Sequence, residues 1–184
     1  MNKPSLILHA AALAVASLAF QSASAQALGA ADARVAKDRV EADYKAARAA
    51  CDSLSGNAKD ICVAEAKGRQ KVALAEVEHR RSGKADDLTR VAMARADADY
   101  EVAKERCDDR AGNDKDVCVK DAKAAKVRAE AEAKAARSTR DARADAASDK
   151  RDADYKAAVE RCDALAGDAK KSCVDTAKAR YGKG

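Results

Sequence analysis

The chain has no tryptophan, a single phenylalanine and a single proline. Phe20 and Pro4 both fall within the first twenty-five residues. Nothing after position 25 therefore breaks a helix for want of a backbone amide hydrogen. Aromatic residues are 3% of the chain, too few to stack bases along a nucleic-acid strand. After position 25 the only histidine is His79, and no C-x-x-C pair occurs. That excludes the usual zinc spacings. His79 sits beside Glu76 and Glu78 and reads as a solvated surface residue. A glycine-rich phosphate loop is missing, as is any nucleophile–histidine–acid set. No stretch alternates apolar and polar residues in the manner of a strand. The net charge of +5 is interspersed rather than blocked, so it offers no basic stripe. The expectation is a chain that is not an enzyme, has no catalytic residues, metal or cofactor, and binds no nucleic acid.

What is present is a unit repeated three times, at 42–67, 98–123 and 153–178. Each copy reads A-D-Y, then C-D, then a glycine, then C-V, then A-K. Tyr44, Tyr100 and Tyr155 stand seven residues before Cys51, Cys107 and Cys162. Eleven residues later come Cys62, Cys118 and Cys173, and every cysteine belongs to a repeat. Val40, Tyr44, Ala47, Cys51 and Leu54 lie on one face of a helix. Gly56, Gly112 and Gly167 follow where a left-handed residue would end that helix. Asn57, Asn113 and Asp168 read as N-caps of the next one, with Asp60 and Asp116 as short capping-box partners.

The unit thus reads as helix, tight turn, helix. Its cysteines stand at similar heights on either side of the turn. Six cysteines permit many pairings; the repeat selects Cys51–Cys62, Cys107–Cys118 and Cys162–Cys173. Each bridge should contribute roughly 2–3 kcal/mol. The alternative, a metal site, would need four convergent ligands. One tyrosine per repeat, beside the cystine, reads as a core plug rather than a ligand contact.

Along the chain, residues 1–25 have the pattern of a signal peptide. Lys3 precedes an apolar run from Leu6 to Phe20, and Ala23-Ser24-Ala25 forms an A-x-A cleavage site. The alternative is an uncleaved anchor. Residues 26–184 form the expected helical repeat domain, with no transmembrane segment after cleavage. Charged residues are 36% and much of the apolar content is alanine. This is the composition of long helices. Burying alanine removes little area from water, and at roughly 25 cal/mol per Å² the core is thin. The fold class is all-α, coiled-coil-like: long antiparallel helices or helical hairpins, three repeats each closed by its own disulfide. Helices are expected over about 32–55, from Ala58, from Asp86 to Ala111, and from Ala169 to Tyr181. The stretch 113–166 holds neither glycine nor proline and would be a rod of about 80 Å if continuous. Glu130 with Lys134 and Arg137 with Asp141 are spaced to support it. The reading taken keeps the long helices unbroken, so that four helices turn at the three repeat glycines. If Gly83 and Ser138 break them, three hairpins stack as a small solenoid.

The repeated ADYK…CD…GN…CV…AK unit resembles that of exported proteobacterial proteins of uncharacterised activity, through all three copies. The alanine-, lysine- and glutamate-rich helices are similar in composition to the central helical region of TolA, a cell-envelope protein. TolA-like proteins also carry a membrane anchor and a globular C-terminal domain, neither of which is expected here. The resemblance carries over no activity; the signal-peptide pattern, the paired cysteines and the helical composition together lead to the expectation of a periplasmic, non-enzymatic structural or interaction protein of a Gram-negative envelope, with an unknown protein or cell-envelope partner. The alternative is a stress-related periplasmic binding protein or chaperone. The composition agrees, since disulfides persist in oxidising compartments.

The signal-peptide pattern makes a direct prediction. N-terminal sequencing of the exported protein should begin at Gln26. Recovery of the full-length chain in the inner membrane would show an anchor instead.

Overall fold

The computed structural model describes residues 27–183; the expected signal peptide lies outside them. Five α-helices follow in order: α1 Ala30–Ala50, α2 Gly56–Ser82, α3 Ala85–Cys107, α4 Gly112–Cys162 and α5 Gly167–Tyr181. A 3-10 turn, Cys51–Ser53, closes α1. The described residues contain no strand. Each helix packs against its neighbours in sequence and against no other.

The pairings keep one register. On α1 and α2, the Leu28 amide donates to the Arg80 carbonyl and Gln70 donates to Glu41, before Cys51 bonds to Cys62. On α2 and α3, Glu65 meets Arg106 at 2.9 Å and Glu76 meets Arg95 at 2.5 Å. On α3 and α4, Asp97 meets Lys126 and Asp86 meets Arg137. Partner numbers fall on one helix as they rise on the other.

All three cystines form as the repeat requires, with Cα atoms 5.7, 5.7 and 5.8 Å apart. The first cysteine of each, Cys51, Cys107 and Cys162, is 0% exposed. The other buried apolar residues are alanines and two valines, Val77 and Val91. The core is as thin as the composition implies.

The structure corrects the sequence at several points. Gly83 breaks the chain between α2 and α3. It takes a left-handed φ of 64° and its amide donates to the His79 carbonyl. Ser82 Oγ accepts the Lys84 amide at 3.0 Å and donates to Asp87, which is 3% exposed. Arg90 lies 2.8 Å from the other Asp87 oxygen, without the alignment of a hydrogen bond. Ser138, by contrast, breaks nothing, and α4 runs 51 residues, about 75 Å. Ser82-Gly83-Lys84 and Ser138-Thr139-Arg140 stand one repeat apart, with threonine in place of glycine. A β-branched residue does not enter the left-handed region at acceptable cost. Thr139 Oγ1 instead donates back to the Ala135 carbonyl at 3.0 Å.

The repeat turns also differ from expectation. Gly56, Gly112 and Gly167 are left-handed, with φ near 55°, but each opens the following helix rather than closing the preceding one. A Cβ at Gly56 would meet nothing, so conformation and not space requires glycine there. The N-cap positions fall on Ser55, Ala111 and Ala166, and none makes a side-chain cap. Asn57 thereby lies inside the first turn, and its side chain donates to the Glu105 carbonyl on α3 at 2.9 Å.

At Gly68 the α2 backbone comes close against α3. A Cβ there would lie 2.8 Å from the Ala98 Cβ. Gly68→Val should therefore cost about 2 kcal/mol in denaturant unfolding, because overpacking outweighs the gain in helix propensity. Gly68→Ala should be tolerated once Ala98→Gly removes the facing methyl. Strictly additive energies in that double-mutant cycle would show that the two helices do not touch there.

Candidate functional site

Each repeat turn carries the same ion pair. Asp52 meets Lys59 at 2.9 Å, Asp108 meets Lys115 at 3.0 Å, and Asp163 meets Lys170 at 3.0 Å. The aspartate directly follows the first cysteine, and the lysine lies three residues after the glycine. Lys59, reinforced by Arg48, lowers the Asp52 pKa below its ordinary value. The aspartate of the C-D motif thus straps the turn next to the cystine. Its signal in the sequence was the lysine that recurs at the same place in each copy.

The tyrosines line matching crevices. Tyr44 borders one with Val40, Ala47, Ala66 and Gln70, of about 200 Å³. Tyr100 borders the equivalent with Ala96, Ala103, Ala122 and Lys126, of about 210 Å³. Both rings are half-buried. In the third repeat Tyr181 replaces Gln70 and Lys126 in register. It meets Tyr155 edge-to-face, with centroids 6.4 Å apart. Lys123 and Lys126 both stand 5.4 Å from the centroid of Tyr100, within cation–π range. The tyrosines are therefore packing elements between paired helices, as the seam suggested.

Between α2 and α3 lie two grooves, one on each side of the Gly68–Ala98 contact. The larger, about 660 Å³, has a floor of Val72, Ala73, Val102 and Ala103. The Glu65–Arg106 and Glu76–Arg95 pairs cross it near its two ends. The smaller, about 390 Å³, is charged. In it Asp97 binds Lys71 of α2 and Lys126 of α4, each at 2.5 Å, and ties three helices together. Lys126, then Lys71, lower the Asp97 pKa.

His79 Nδ1 lies 3.1 Å from the Lys84 carbonyl oxygen, so the ring braces the Gly83 turn. Its acidic neighbours turn elsewhere: Glu76 to Arg95, and Glu78 to Arg81 and Lys37. Among the described residues no group of three or more histidines, cysteines, aspartates or glutamates is placed to hold a metal. All six cysteines are in disulfides, leaving no thiol. None of the described helices is long and apolar enough to cross a membrane. No protein-family model, curated protein or solved structure matches the chain.

Electrostatic ties of this kind have a pH signature. Hydrogen-bonded to Glu78, the Arg81 guanidinium holds that carboxyl down from 4.5 to about 2. A depressed carboxylate stabilises the fold fully above its unfolded pKa and loses that contribution as pH falls to the folded one. The melting temperature of the oxidised protein should therefore drop between about pH 4.5 and pH 2. Glu78→Gln should flatten part of that drop; an identical profile in the variant would remove Glu78 as a contributor.

Proposed function

We propose that the protein is a non-enzymatic helical spacer and interaction module of the bacterial envelope, working in the periplasm. In this reading the chain is a row of antiparallel helical hairpins, coiled-coil-like in its seams, each closed by a disulfide. The opposed registers of the helix pairs support the arrangement. The observation that carries the reading is α4. From Asp141 to Arg151 every residue is exposed, and none of them makes a hydrogen bond or ion pair to another helix among the described residues. It joins a four-helix body to the terminal α4–α5 pair as a bare strut, about 16 Å of single helix. Cystines close the pairs at both ends. The cystines also support an exported location, since such bridges persist in oxidising compartments. The likeness in composition to the helical region of TolA points the same way.

The chaperone reading rests on the α2–α3 groove. Its floor is two valines among small residues, and ion pairs cross it. The exposed large apolar residues, such as Val35, Leu54 and Leu165, are scattered singly. Clients with exposed hydrophobic surface need broader apolar patches than this.

The two readings separate in a simple assay. The protein should be released from the periplasm in oxidised form and should leave the aggregation of a chemically unfolded client unchanged. Suppression at near-stoichiometric amounts, abolished by Val72→Lys with Val102→Lys, would transfer the role to a chaperone.

A further inference from the structure

Among the described residues, one face of α4 is exposed from Asp121 to Arg161. The repeats are 56 and 55 residues apart, so positions on α2 and α3 have counterparts on α4. The face by which α2 meets α3 corresponds to Asp121, Ala124 and Glu132 in the first half of α4. The face by which α3 meets α2 corresponds to Lys150, Ala153 and Arg161 in the second half. All six are exposed. Together with Arg128, Thr139 and Ala146, at steps of three, four, seven and eight residues, they form one continuous stripe.

The charges on this stripe keep their signs. Glu65 and Arg106, 2.9 Å apart, correspond to Asp121 and Arg161. Glu76 and Arg95, 2.5 Å apart, correspond to Glu132 and Lys150. The close contact of Gly68 with Ala98 corresponds to Ala124 with Ala153, still two small residues. Asn57 and Glu105, which join α2 to α3, correspond to Asn113 and Glu160. The ion pairs that α4 does make use Lys115, Lys126, Glu130, Arg137, Asp141 and Asp152, and none of the four stripe charges.

Within one chain these partners cannot meet. Gly83 turns the chain and brings α2 onto α3. Thr139 stands at the corresponding place and α4 runs straight through it. Asp121 and Arg161 are then about 60 Å apart on one rod, and Glu132 and Lys150 about 27 Å.

We propose that a second copy of this chain covers the stripe. The two α4 helices lie side by side in opposite directions, about a two-fold axis between Thr139 and Ala142. Asp121 and Glu132 of each copy then face Arg161 and Lys150 of the other. The interface is self-complementary, with acids toward the N-terminal half and bases toward the C-terminal half, as two-fold symmetry requires. Each copy's third repeat completes the stack begun by the other copy's first two. The pairing does not depend on the envelope role proposed above; a monomer would leave that role standing.

Sedimentation equilibrium of the oxidised protein at micromolar concentration should show a dimer. Glu132→Lys should weaken it about tenfold or more, and adding Lys150→Glu should restore it. Circular dichroism should show unchanged helix content in both variants. Carbodiimide cross-linking of mixed isotope-light and isotope-heavy chains should join Glu132 of one label to Lys150 of the other. A monomer at all concentrations, a dimer indifferent to Glu132→Lys, or links confined to single chains would each overturn the proposal.

Discussion

The cystine beside each repeat turn is the constraint on which the other contacts depend. Two helices that meet through alanine remove little apolar area from water, and little area means little driving force. Apart from the half-cystines, Val77 and Val91 are the only apolar side chains larger than alanine that are buried among the described residues. Ordering the two arms of a helix pair still costs backbone entropy. A covalent tie across a short loop offsets a part of that cost by constraining the unfolded chain, roughly 2–3 kcal/mol per bridge. Each tie sits at the foot of a turn, with its first sulfur-bearing residue shielded from solvent. The aspartate–lysine pair over the same turn adds a weak, exposed strap. Between the ties, the tyrosine crevices and interhelix ion pairs set the register.

Much of this was legible in the sequence. The helices follow from the absence of proline, the richness in alanine and the seam spacing of Tyr44 and Cys51. The disulfide pairing follows from the repeat alone. The breaks were harder, because the same serine at 82 and 138 ends a helix in one case and not in the other. The deciding residue is the next one. Gly83 can adopt the left-handed conformation that closes α2, and Thr139 cannot at low cost. A turn signal read from Ser138 alone therefore misleads.

Contacts between elements were mostly illegible, because they depend on which helices become neighbours. Asn57 looks like a cap by type and position. Once Gly56 takes the first helical place, its side chain is free to reach Glu105 across the α2–α3 interface. Glu130 was expected to pair with Lys134. It pairs with Lys126 instead, at 3.7 Å, because Asp97 of α3 holds that lysine on the near side. Gly68 gave no signal at all, since its reason is the methyl of Ala98, thirty positions away. In each case a local preference yielded to a partner that only the packed structure supplies.

A row of similar units has two open edges, and what covers them decides whether copies close on themselves or extend without limit. The outer face of α1 is the counterpart of the α3 face that meets α2, so an α5 from another copy, the counterpart of α2, is the natural candidate to extend the row. The charges speak against it. The Glu65–Arg106 strap would become Thr176 with Ala50, two uncharged residues. Head-to-tail growth would therefore lose the strap that corresponds to Glu65 with Arg106. The stripe on α4 keeps the signs of both α2–α3 straps, and it keeps them in an order that two copies can satisfy at once. The repeat that the helix pairs share thus leaves the α4 stripe with the sign order of the α2–α3 contact, and the α1 face without the counterpart of the Glu65–Arg106 strap.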